Sequence, residues 1–323
     1  MVIFSERDNM KNKIFLFLIA VILICFAACQ TLSSVSDSGG TGGGGDEPTP
    51  QPTPTTSTTD DIVFIHHSCG ENWLNNSLRT ALTAKDYIDE VNESNYGTCF
   101  GPDSGRPDSL SGSPGDNTDM NHWILWFNDY LGGLKQLETS DGENRIILFK
   151  SCFPNSGVSS LGTSPGDPFS DTKTVENYKA VFTYPAGVSI YNHEGAVYKP
   201  LEVIFAENPE TLFIFVTAPP LCFDEGSSVD GGRARVFNEW VEGEWLTDYN
   251  TAHPGLDNVA VFNWFDFLAY AADAASHANL LKVEYGGDSG DSHPNGTANG
   301  ESTVYFVSGA TNRLDAIWNG FLN

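Results

Sequence analysis

Four short runs along the chain are apolar at every position: Ile62 to Ile65, Ile146 to Phe149, Leu212 to Val216 and Val259 to Phe262. None alternates with polar residues, so each predicts a strand covered on both faces, as in a parallel sheet. A weaker run, Tyr87 to Asn92, predicts a further strand nearer an edge. Helical spacing fills the intervals. Leu74 to Leu82 follows the first strand. Met120, Trp123, Ile124, Phe127, Leu131 and Leu134 keep a 3.6-residue period behind Thr118 or Asp119 as N-cap. A helix from Tyr198 to Phe205 is expected to stop before Asn208-Pro209. Val236, Phe237, Trp240, Val241 and Trp245 form another stripe, and Thr303 to Leu322 closes the chain. The tryptophans are read as core. Strands alternating with helices predict a doubly wound α/β/α sandwich around a parallel five-stranded sheet.

From Asp61 onward no linker interrupts the pattern, so 61–323 is read as one domain. Two long stretches, 99–118 and 156–187, are rich in Gly, Ser, Pro and Asp and read as loops. Both follow strands and belong on the same rim of the sheet. Ahead of the domain, Lys11 and Lys13 precede an apolar run from Ile14 to Ala28, too short and too early for a comfortable membrane span. The run ends Phe26-Ala27-Ala28-Cys29, which resembles the lipobox of bacterial lipoproteins, with Phe26 in place of the usual aliphatic residue. That resemblance implies export, acylation of Cys29 and a membrane anchor for segment 1–29. Residues 30–60 are Gly, Ser, Thr and Pro with almost nothing apolar, a tether between anchor and domain.

Composition narrows the partners. The formal charge is −26, with 18% charged and 40% hydrophobic residues. That charge repels nucleic acid and anionic headgroups and suits a neutral substrate.

The chemistry gathers at DIVFIHHSCGENW, Asp61 to Trp73. A buried strand runs into His66, His67, Ser68, Cys69 and Gly70, and a helix opens after them. Ser68 therefore stands at the carboxyl end of a strand, where ligands bind in open α/β sheets. A nucleophilic serine needs a base, and the base an orienting partner. His293, in Gly287-Asp-Ser-Gly-Asp-Ser-His-Pro-Asn295, lies after the last strand and before the final helix, hence on the same rim. Asp291 or Asp288 is available to its other nitrogen. Cys69, Cys99, Cys152 and Cys222 each follow a strand, and an even set in an exported chain favours two disulfides. Asp103, Asp108, Asp116 and Asp119 have calcium-type chemistry at a spacing that matches no calcium loop.

Taken together, IHHSCGENWL, LFKSCFPNS, VTAPPL and DSHPN resemble the SGNH (GDSL-type) hydrolase superfamily, in a divergent branch with His-His-Ser where Gly-Asp-Ser is usual. The resemblance spans about Asp61 to Leu322 and implies a flavodoxin-like sheet. It also implies Ser68 as nucleophile, His293 as base, and an oxyanion hole made by the Ser68 amide, Gly97 and the Asn155 side chain. The superfamily's acid sits three residues before the histidine, where this chain has Gly290, so Asp291, Asp288 or a backbone carbonyl remains open. His66, His67 and Asn72 are candidates for the substrate pocket. With strands in the order 2-1-3-4-5, neighbouring ends suggest Cys69 with Cys99 and Cys152 with Cys222. The expected activity is a cofactor-independent, metal-free serine esterase acting on acyl groups, acetyl foremost, of carbohydrate. Two alternatives stand beside it: a glycan-binding module without catalysis, and a metal hydrolase built on His66, His67, His293 and an aspartate. Oligomeric state is not legible.

Overall fold

The computed structural model describes residues 60–98, 101–106, 110, 114–140 and 142–323. The segment read as signal, Cys29, the tether up to residue 59, and Cys99 lie outside the described residues. Five parallel strands form the sheet: β1 (Asp60–Ile65), β2 (Ile88–Ser94), β3 (Asn144–Lys150), β4 (Leu212–Val216) and β5 (Val259–Phe262). Their order is β2-β1-β3-β4-β5. It is the α/β sandwich that the apolar runs predict, in the flavodoxin-type strand order that the resemblance implies.

Successive residues of a strand point to opposite faces, and here both faces are dry. Ile62, Phe64, Ile146, Leu148, Leu212 and Ile214 face one cluster, while Val63, Ile65, Ile147, Phe149, Phe213 and Phe215 face the other. The first cluster is closed by α1 (Ser68–Trp73), which runs through a π turn at Leu74–Leu78 into α2 (Arg79–Thr83). Trp73 anchors this layer. Its ring stacks on Trp264 at 4.8 Å and its Nε1 donates to Thr303 Oγ1 at 2.9 Å. The second face is covered by α3 (Trp123–Asp129), α4 (Leu131–Gln136), α5 (Val175–Phe182), α6 (Leu201–Ala206), α7 (Ser228–Trp240) and α8 (Leu246–Ala252). After β5 come α9 (Trp264–Leu268), α10 (Gly296–Thr303) and α11 (Arg313–Phe321) on the Trp73 side.

Several boundaries differ from those expected. Ala196–Tyr198 is not helix but pairs antiparallel with Tyr191–His193. Glu194 and Gly195 both have positive φ, the backbone of a tight hairpin turn, and α6 starts only after Pro200. The stretch 156–187 contains α5, because Val175, Tyr178, Val181 and Phe182 recur at helical spacing and Thr174 Oγ1 caps the start from Asn177 N at 3.1 Å. The closing helix is two. α10 begins at the Asn295 cap, and Asn312, with φ of 32°, breaks the path before α11. Val236 is 46% exposed and lies off the α7 core stripe.

Ile65 is level with Ser94 and Phe149, and Val216 is level with Phe262. The residues that follow β1, β2 and β3 therefore emerge on one rim.

Candidate active site

β1 ends in two histidines with opposite fates. His66 is fully buried, with Nε2 3.0 Å from Glu93 Oε2 and Nδ1 3.2 Å from the His67 carbonyl. Glu93 also meets Arg79 at 3.1 Å, and the hydrogen bond from His66 is the main reason its carboxyl lies below the ordinary range. His66 is thus a structural strut rather than a pocket residue. His67 is extended and forms the N-cap of α1, which Ser68 opens. Gly70 makes that abrupt turn possible: a Cβ there would sit 2.3 Å from His66 Cβ.

Ser68 Oγ is 2.7 Å from His293 Nε2. His293 Nδ1 is 2.6 Å from Asp291 Oδ1, and the same oxygen accepts from the His293 backbone N–H at 3.1 Å. The two-residue spacing is an Asx turn: the carboxylate folds back over Ser292 and holds the amide and the ring together. An acceptor at Nδ1 requires the proton there, leaving Nε2 to accept from the Ser68 hydroxyl. Asp291 is held below its usual carboxylate range chiefly by this hydrogen bond to His293. Asp288 is exposed and no hydrogen bond joins it to His293 among the described residues. The loop is pinned from the β4 side, where Cys222 N donates to the fully buried Ser292 Oγ at 2.9 Å and Phe223 N to the Gly287 carbonyl at 2.8 Å. Phe153 packs edge-on against the His293 ring at 5.0 Å.

Around the serine oxygen stand groups that the sequence reading assigned otherwise or passed over. His67 Nδ1 is 3.3 Å from Ser68 Oγ and 3.1 Å from the Tyr96 hydroxyl. Cys152 Sγ is 3.5 Å from Ser68 Oγ and 3.3 Å from Cys69 Sγ. Cys69, Cys152 and Cys222 are free and buried, so the suggested bridge of Cys152 to Cys222 is absent and Cys69 faces Cys152. β1 and β3 are paired neighbours, so the residues just past their ends, Cys69 and Cys152, come together. The hydrogen bond shared with Cys69 lowers the Cys152 thiol, and burial raises Cys69.

Two of the three donors implied for an oxyanion hole, Gly97 and Asn155, are engaged elsewhere. The Gly97 N–H points to Asn95 Oδ1 at 3.3 Å, within the exposed 95–98 turn. Asn155 is buried. Its Nδ2 donates to Asp119 Oδ1 at 2.7 Å and to the Cys152 carbonyl at 3.3 Å, while its Oδ1 accepts from Met120 N at 3.1 Å. Asp119 thereby joins the α3 entry to the loop after β3. Asp103 is committed differently, accepting from Gly132 and Gly133 N–H groups. Asn72 is exposed, one helical turn beyond Ser68. Tyr96 was the informative residue of Asn95-Tyr-Gly97, and its position beside the more conspicuous glycine was the available signal. Glu93 carried no signal, because its partner is set only by strand pairing.

His66 and His67 diverge, so they do not share a ligand set. Among the described residues no group of three or more His, Cys, Asp or Glu side chains is arranged to hold a metal ion. No protein-family model matches the chain, and no curated protein does.

Proposed function

We propose that the chain is an SGNH-type serine esterase, exported and lipid-anchored, that removes acyl groups, acetyl foremost, from carbohydrate. One observation carries the reading: Ser68 Oγ, His293 and Asp291 stand in an unbroken hydrogen-bonded line of 2.7 and 2.6 Å, drawn from the two ends of the domain sequence. Ser68 Oγ attacks the ester carbonyl carbon while His293 Nε2 takes its proton. The Asp291 carboxylate stabilises the imidazolium that results. The tetrahedral intermediate collapses, His293 returns the proton to the departing alkoxide, and an acyl-Ser68 remains. Water, deprotonated by His293, then releases the carboxylic acid. Ser68 opens α1, and while the N–H groups of Gly70 and Glu71 donate to the His67 carbonyl, the Ser68 amide has no carbonyl of the helix one turn back. That amide is the oxyanion donor the fold supports best, and each such donor is typically worth about 3 kcal/mol.

Tyr96 packs against His67 and Phe153 against His293 beside Ser68, aromatic and polar surroundings suited to a sugar ring carrying a small acyl group. The decisive assay is hydrolysis of an aryl acetate and of acetylated oligosaccharides by the wild-type chain and by Ser68→Ala. Loss of turnover with an unchanged melting curve is expected. Binding of the oligosaccharide without hydrolysis of either substrate by the wild type would leave a glycan-binding module instead.

A further inference from the structure

The esterase reading gives no part to the two sulfurs behind the nucleophile. Cys69 and Cys152 come from adjacent strand ends, and their Sγ atoms are 3.3 Å apart. A disulfide needs about 2.0 Å, so small side-chain rotations close the gap. The two are unequally placed. Cys152 is 6% exposed and touches Ser68 Oγ at the mouth of the site, whereas Cys69 is wholly buried beneath it. A second, independent feature adjoins them. Lys150, the last residue of β3, is fully buried, and its Nζ has no hydrogen-bond partner among the described residues. Its Nζ lies over the face of Trp264, 5.4 Å from the ring centre. A buried cation without an acceptor is unfavourable. Lys150 acts electrostatically on both thiols, lowering each, after the larger effects of burial and Cys152 at Cys69, and of Cys69, burial and His67 at Cys152. A thiolate at Cys152 is the counter-charge this lysine lacks, and the thiolate is the reactive form of cysteine.

We propose that Cys69 and Cys152 form a redox-active dithiol beside the nucleophile, taking hydroperoxides as oxidant, with Cys152 the attacking sulfur and Cys69 the resolving one. The Cys152 thiolate attacks the distal peroxide oxygen and the O–O bond breaks. The leaving alkoxide or hydroxide takes a proton, and Cys152 becomes the sulfenic acid. The Cys69 sulfur then attacks the Cys152 sulfur, expelling water, so two thiols and one hydroperoxide give one disulfide, one alcohol (or water) and one water. Disulfide formation draws Cys152 Sγ toward Cys69 and away from Ser68 Oγ. The site goes beyond the esterase reading and does not depend on turnover.

The test uses the full chain, reduced, freed of reductant, and treated with equimolar hydrogen peroxide. Remaining thiols are alkylated under denaturing conditions and the chain is digested without reduction for mass spectrometry. A Cys69–Cys152 cross-linked peptide is expected, lost on adding dithiothreitol, with Cys222 alkylated throughout. Ser68→Ala should form the same cross-link, which separates this site from the fate of the esterase reading. Cys69→Ala should instead leave Cys152 as the sulfenic acid, trapped by dimedone, and a second equivalent of peroxide should carry it on to the sulfinic acid. The proposal is overturned if both sulfurs stay alkylatable after peroxide, or if either is recovered bonded to Cys99 or Cys222.

Discussion

Asp291 Oδ1 receives both the ring and the backbone N–H of His293, so one atom sets the tautomer and the ring plane. Asp291→Asn removes the charge that stabilises the imidazolium. Because the Asp291 side chain is 62% exposed, solvent shares that task, and turnover should fall about 10²- to 10³-fold rather than the ~10⁴-fold seen for a buried triad aspartate. Asp288→Asn should stay within a few-fold of the parent; steady-state hydrolysis of an aryl acetate compares the two. A larger loss at Asp288 would move the acid there. Glu93 supports a pH argument. Its carboxyl is held below its ordinary value of 4.5, so the interaction with His66 and Arg79 adds stability at pH above that value. The contribution drains away as pH falls through the lowered folded-state value. Thermal melts from pH 6 to pH 3 should show a steeper loss for the wild type than for Glu93→Gln. Parallel curves would assign Glu93 no such role.

The turn from β1 into α1 is the element on which the site depends. Gly70 touches His66 and Phe64, and a methyl group there must displace one of them. Gly70→Ala should destabilise the domain by roughly 1–3 kcal/mol, and move Ser68 away from His293. Urea melts read the first effect; the rate of labelling by a fluorophosphonate reads the second. Normal labelling together with normal stability would show that the turn relaxes freely. The opposite side of the site rests on Asn295, which caps α10 through Ala298 N at 3.0 Å and donates to the Glu284 carbonyl at 3.0 Å. Asn295→Ala should lower stability by about 1 kcal/mol. The His293 loop then loses one of its tethers, so kcat should fall with little change in KM.

For the molecule as a whole, no helix among the described residues is long and apolar enough to cross a membrane. The anchor proposed at Cys29 is tested separately. Cys29→Ser should shift the protein from the membrane fraction to the soluble one, or leave a longer precursor; unchanged fractionation and N-terminal mass would remove the anchor. The apolar runs by themselves determined the sheet, because a strand buried on both faces has no polar position to disguise it. They also determined the rim, since the ends of parallel strands in register share one edge. The meeting of Ser68 and His293 was legible for that reason, one being set just past a strand and the other just before a helix. Asp291 stayed open against Asp288 until the loop's conformation was known. Pairings between distant segments were decided only by the tertiary structure. Cys69 meets Cys152 because β1 pairs with β3, and His66 turns inward to Glu93 because β1 pairs with β2. The amides of Gly97 and Asn155 are satisfied by Asn95 and Asp119. A linear pattern records which side chains are buried, but the partner of each buried polar group is set by the packing that brings the elements together.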